Sequence, residues 1–279
     1  MLSTTKTIYH TQLELARALQ QPFVAMDHST LNEKFNVFPD EEPNVGDLYP
    51  KLRYIAIGRG GHRGVLSSSG ETLIEPIEHN VVHAALYEHV PFVVREVTND
   101  LTPTERAKYG MRTTISKNGK VYFAYYLMAM DFASTPPEVE EITVLDGSVT
   151  TVPYVASPTQ LNPDKILYNN DGSVISSGKH ISVDSTLTLS LTEDEIAEVT
   201  NAIDVIYGDA SFGTISEIGV VTAFRKSVSS TLGGIPEVTY MEAIDAQVAN
   251  FIPTNIDLKF TTKGITQEYS LGFVSAYVR

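Results

Sequence analysis

The stretch MRTTISKNGKVYFAYYLMAMDF, residues 111–132, decides the fold class. At its centre, Lys117-Asn118-Gly119-Lys120 carries the Asn-Gly pair that supplies the positive φ angles of a type I′ turn. The flanks then read as a β-hairpin, Met111 to Ser116 returning through Val121 to Phe132. Tyr122, Ala124, Tyr126, Met128 and Met130 fall on one face of the second arm. Val121, Phe123, Tyr125, Leu127 and Ala129 fall on the other. An arm apolar on both faces belongs in the middle of a sheet that is covered on both sides.

Outward from the hairpin, the same alternation predicts strands at Lys51–Ile57 and at Val90–Val97, the latter with Pro91 near its start. Further strands are expected over 214–226, 237–251, 256–262 and 267–278. Helix signals are fewer. Thr102-Pro103-Thr104-Glu105 sets an N-cap, a proline at the first helical position and a glutamate at the third, with Gly110 placed to end the turn in a left-handed conformation. Thr192-Glu193-Asp194-Glu195 repeats the capping box, and Ile196, Val199, Ile203 and Ile206 recur behind it at helical spacing up to Gly208. Thr11 and Glu14 have the same spacing and predict a helix over 11–20, stopped by Pro22. Residues 79–87 are compatible with a short helix. The polar segment 27–50 reads as a long surface connection.

The fold expected is α+β: a mostly antiparallel sheet with a few short helices. Residues 134–189 are rich in Ser, Thr, Pro, Asn and Gly, with a second hairpin signal at Asp146-Gly147. They read as a hairpin insertion or arm on a main body formed by 1–133 and 190–279.

Composition narrows the function. The chain has 279 residues, 34 acidic against 20 basic, a net charge of −14, and neither cysteine nor tryptophan. That excludes a disulfide framework, a cysteine metal knuckle and a thiol nucleophile. The acidic balance argues against nucleic acid and anionic membranes as partners. Charged residues make up only 19%, a low density that suits surfaces covered by neighbouring subunits. No transmembrane or signal segment is expected.

Two candidate sites present themselves. The turn Gly58-Arg59-Gly60-Gly61-His62-Arg63-Gly64 is glycine-rich and follows a strand, as phosphate-binding loops do. It lacks Gly-x-x-x-x-Gly-Lys-Ser/Thr, and in Gly-x-Gly-x-x-Gly the third glycine falls on Arg63. A tight turn is the plainer reading. The second is a set of histidines, His62, His79, His83 and His89. His79 and His83 lie four apart, and on a helix both would face one metal ion, with Glu75, Glu78 or Glu88 as a third ligand. Hydrogen-bonded structural histidines are again plainer. No catalytic set is nominated, no cofactor is expected, and the chain does not read as an enzyme.

Three blocks together carry a resemblance: Tyr54 through His62; Ala84 to Tyr87 with Pro91 to Arg95; and Asn99 to Leu101 with Arg106 to Tyr109. With the tyrosine-rich strand at 122–126, they resemble uncharacterised virion structural proteins of contractile-tailed bacteriophages. The resemblance covers roughly 50–132, with the helix and strands after 190. It implies a structural subunit of the tail, baseplate or neck, assembled in the host cytoplasm and contacting other virion proteins and copies of itself. It transfers no catalytic residue and leaves out 134–190. On this reading the interface is expected at Arg59, His62, Arg63, Tyr87, Arg95, Arg106, Tyr109 and Arg112, with Arg95, Arg106 and Arg112 as ion-pair anchors to adjoining subunits. The competing readings are a metal-binding protein or enzyme built on the four histidines, and a host-surface adhesin.

Overall fold

A computed structural model describes residues 4–43, 47–132, 136–145, 147–174, 176–209, 213–230, 238–258 and 263–278. The expected fold class holds: the protein is α+β and β-rich, and the strand pairings are antiparallel. It divides into two compact units, 1–131 with 191–265, and 132–190 with 266–279. No helix among the described residues is long and apolar enough to cross a membrane.

The first unit is an eight-stranded sheet. Its strands are β1 (Thr5–Lys6), β2 (Lys51–Arg59), β5 (Glu88–Val90), β6 (Val93–Glu96), β7 (Tyr109–Lys117), β8 (Lys120–Ala129), β12 (Thr214–Ser230) and β13 (Val238–Asp257). The order runs β1-β13-β12-β2-β8-β6, with β5 on β2 and β7 on β8. The β7–β8 hairpin forms as its turn dictates. Asn118 and Gly119 take positive φ, and Lys117 pairs with Lys120. As its two apolar faces require, β8 is central, bonded to β7 on one edge and to β6 and β2 on the other. A two-stranded hairpin, β3 (His62–Leu66) with β4 (Thr72–Pro76), extends from the end of β2.

Three helices of this unit begin with reciprocal Thr/Glu capping boxes: α2 (Leu31–Phe35), α3 (Pro103–Arg106) and α4 (Glu193–Tyr207). The last two are those expected. The first is a correction to the connection expected over 27–50. Thr30 and Glu33 bond each other's backbone N–H groups at 3.2 Å, and Leu31 and Asn32 are buried. The box at Thr11 is a second correction. Helix α1 (Ile8–Leu19) starts earlier because Thr7 caps it, taking the His10 N–H, while the Thr11 hydroxyl bonds back to the Thr7 carbonyl inside the first turn. Residues 79–87 form turns and no helix. The strand expected over 90–97 breaks at Pro91-Phe92 into two pieces with different partners. Gly110 lies within β7 rather than closing α3. A Cβ there would sit 2.5 Å from the Tyr54 ring, so the position is small to admit that ring.

Strand β13 is one continuous element where two were expected. It holds a register shift opposite Thr222 and Phe224, with Asp245 at positive φ. A bulge leaves backbone groups without ladder partners, and α2 supplies them. Asn32 Nδ2 donates to the Ala243 carbonyl at 2.9 Å, and its Oδ1 takes the Ala246 N–H at 2.9 Å. Alternation along β12 and β13 fills both sides of the sheet. Ala223 and Ala243 pack with Leu31 and Ala202, whereas Phe224 and Ile244 pack with Leu13 and Phe23.

The second unit holds a four-stranded sheet ordered β10-β9-β11-β14: β9 (Glu138–Leu145), β10 (Ser148–Pro153), β11 (Ser176–Leu191) and β14 (Ile265–Val278). The last strand was expected in the main body, but it pairs with β11. The turn between β9 and β10 includes Asp146, which lies outside the described residues.

Arg106 is the arginine most deeply tied into the fold. Its guanidinium lies 2.6 Å from Glu242 and 3.9 Å from the Tyr240 ring centroid, and both charged side chains are buried. Removing one member of a buried pair strands the other charge in low dielectric. Arg106→Met should therefore lower unfolding stability by about 3–5 kcal/mol, and adding Glu242→Leu should restore most of the loss. Urea unfolding of the three proteins measures both effects.

Candidate functional site: a buried carboxylate under the histidine segment

Both sequence candidates meet at one residue that neither included. Glu217 lies on β12, 1% exposed, paired with Gly58 at the end of β2. Its Oε1 takes the Glu88 N–H at 3.2 Å and its Oε2 takes the Tyr87 N–H at 3.1 Å. Oε2 also lies 2.7 Å from His79 Nε2. A buried carboxylate needs such donors to offset its lost hydration.

The glycine turn exists to let this carboxylate in. A Cβ on Gly58 would sit 2.7 Å from Glu217 Oε1 and 2.9 Å from the Glu88 carbonyl. Gly60 takes φ +94°, and the Gly61 N–H donates to the Ser216 hydroxyl at 2.8 Å. The glycines thus serve a close packing of strands and a turn into β3. Arg59, expected at an interface, turns inward. Its Nε lies 2.8 Å from Glu88 and its guanidinium 4.2 Å from the Tyr207 ring.

The histidines come together without a helix. His79 stacks between Phe251 (centroids 3.7 Å apart, planes at 5°) and Tyr87 (4.3 Å, 25°). Its Nδ1 lies 3.1 Å from His83 Nδ1. His83 Nδ1 also takes the Asn80 N–H at 3.3 Å, so the hydrogen between the two rings belongs to His79. His79 thus bridges His83 on its outward side and Glu217 on its inward side. His89 lies apart from this chain, its Nε2 accepting the Leu86 N–H at 3.1 Å and its ring edge-on to Phe35. His62 opens β3.

This arrangement fixes backbone rather than presenting a reactive atom. In a catalytic carboxylate–imidazole pair, the far ring nitrogen faces substrate. Here that nitrogen faces His83, and the His79 side chain is 4% exposed. Among the described residues, no three His, Asp or Glu side chains are placed to hold a metal ion. In this geometry the two rings bond each other, and His79 turns its second nitrogen to Glu217.

The remaining residues expected at an interface divide. Arg95 forms a two-pronged pair with Glu198, one arm at 2.6 Å, and Arg112 pairs with Asp100 at 3.0 Å beneath a Phe123 contact. With Arg106, all three expected anchors bind acids of their own chain. Tyr109 is buried. Arg63 and Tyr87 remain exposed, Arg63 pairing with Glu75 across the β3–β4 hairpin and Tyr87 bonding the Glu78 carbonyl through its hydroxyl.

A family model matches residues 1–279, the whole chain, and its description is a family of unknown function, DUF7208. The chain belongs to this family. No curated protein and no solved structure matches it. The match spans both compact units, so the second unit is part of the family's pattern.

Two measurements follow from the geometry. Burial pushes the His89 imidazole down to about 3, and burial also lowers His10, His62 and His83. Each binds a proton more readily when unfolded than when folded. Their stabilising effect is complete above about pH 6.5 and is lost as pH falls toward the lowered values. For His89 the slope approaches about 1.4 kcal/mol per pH unit. Urea midpoints at pH 7.5 and 5 should fall steeply for the native chain and less so for His89→Gln. Gly58→Ala, which forces a methyl against Glu217, should cost about 1–3 kcal/mol in the same assay at pH 7.5.

Proposed function

We propose that this protein is a structural subunit of a tailed bacteriophage particle, in the tail, baseplate or neck, acting through protein–protein contacts and not as an enzyme. The observation that carries the assembly reading is where its apolar surface lies. The β3–β4 hairpin leaves Leu66, Leu73 and Ile74 exposed. The β9–β10 hairpin and the chain after it leave Val144, Val149, Val152, Val155 and Leu161 exposed. A two-stranded hairpin is marginal alone in water, and clustered exposed aliphatics mark surfaces that something covers. Polar networks at the candidate site are meanwhile directed inward. The phage assignment rests on the sequence resemblance over 50–132, and the particle would form in the host cytoplasm.

The test is protein mass spectrometry of particles purified from the phage that encodes this chain. The chain should appear at a fixed copy number, retained through density-gradient banding. Its absence from banded particles would overturn the proposal.

A further inference from the structure

Strand β10 is the edge of its sheet. It ends the four-strand order, and among the described residues only β9 pairs with it. All six residues, Ser148 to Pro153, are exposed. Leu145 pairs with Ser148, and the Tyr154 N–H donates to the Val139 carbonyl at 2.9 Å. In antiparallel pairing, hydrogen-bonded positions alternate. The backbone groups of Ser148, Thr150, Val152 and Tyr154 therefore face β9. Those of Val149 and Thr151 face outward.

Natural proteins blunt free edges with lysine, proline, inward charge or bulges. Of these, β10 carries only Pro153, at its very end. The 17 residues from Gly147 to Pro163 contain no charged side chain and no histidine, in a chain of net charge −14. All of them except Tyr154 are exposed, Val149 at 66% and Leu161 at 83%. A strongly acidic surface meets its own copy only by opposing like charges, which costs affinity. This strip is a surface of the chain that avoids that penalty.

We infer that β10 pairs antiparallel with β10 of a second copy of this chain, about a two-fold axis through Thr150. This deepens the assembly reading of the preceding section and rests on it. The outward groups permit this register. Val149 and Thr151 exchange backbone hydrogen bonds with Thr151 and Val149 of the second copy, Thr150 faces Thr150, and Ser148 faces Val152. Gly147 and Pro153 stay at the ends, and Pro153, with no N–H to give, stops the ladder from lengthening. Every facing pair is small or β-branched, the composition that pairs well across strands. So short a ladder is far below the roughly 1,200 Å² of a stable interface. The contact is therefore weak in free solution and firm where many copies are held side by side.

Because the chain has no cysteine, one introduced thiol reports the contact. Facing residues at a non-hydrogen-bonded position lie about 4.5 Å apart between Cα atoms, within disulfide reach. In this register, Thr150→Cys should give a covalent dimer under mild oxidation of the full-length protein at high concentration. Val152→Cys is equally exposed, but its two copies lie about 14 Å apart along the ladder, and it should remain at least tenfold less crosslinked. Thr150→Lys should lower the weight-average mass in sedimentation equilibrium relative to the native chain. Equal crosslinking of the two cysteine variants, or none in either, overturns the inference. If neither crosslinks while the chain is found in particles, the homotypic edge fails and the particle reading stands. If Thr150→Cys crosslinks selectively while particles lack the chain, the edge stands and the particle reading fails.

Discussion

The main sheet depends on one carboxylate kept out of water. Glu217 sits where β12 pairs with the end of β2, and three partners converge on it there. Two are backbone N–H groups of Tyr87 and Glu88, so satisfying the charge also fixes the segment that leads into β5. The third, His79, is pinned between Phe251 of β13 and Tyr87. One side chain thereby joins β2, β5, β12, β13 and the 77–87 connection, and a glycine at position 58 is the condition for its entry. Losing any member leaves a buried polar group without its partner, which is costlier than losing a surface contact.

How much of this was legible follows from sequence distance. The β7–β8 hairpin was plain because the Asn-Gly turn and the two apolar faces of β8 lie within 22 residues. The boxes at Thr102 and Thr192 were plain because each is closed by a residue three positions on. The pattern at Thr11 misled for the same reason. A local motif does not say whether the residue before it caps first, and Thr7 does so because it is locked to β13 through Val248 and Ala249. The box at Thr30 is obscured by the prolines and acids of its segment, although Leu31 directly behind it is its signal. Glu217 could not be found this way at all. It is 138 residues from His79 and 159 from Gly58, and no local pattern distinguishes it from any strand glutamate.

The same distance explains the arginines. Arg59, Arg95, Arg106 and Arg112 looked like a basic stripe available to neighbours because their acids are scattered through the chain at 88, 198, 242 and 100. Folding brings these together and spends the stripe internally. The net charge of −14 is thus not offset by a basic docking face in this region. What the surface keeps free of charge is instead the stretch from Gly147 to Pro163, where neither sign is present.

The strand order also sets a schedule for synthesis. Strand β12 lies between β2 and β13, and β1 pairs with Phe251 and Asn250 near the far end of the chain. A nascent chain of about 200 residues would have β2 and β8 emerged with β2's second partner still unmade. At roughly 5–20 residues per second, that edge of β2, with Ile55 and Ile57 on it, stays open for seconds. Contacts of such long range also close slowly. The strand order therefore leaves that edge of β2 uncovered until β12 has been made.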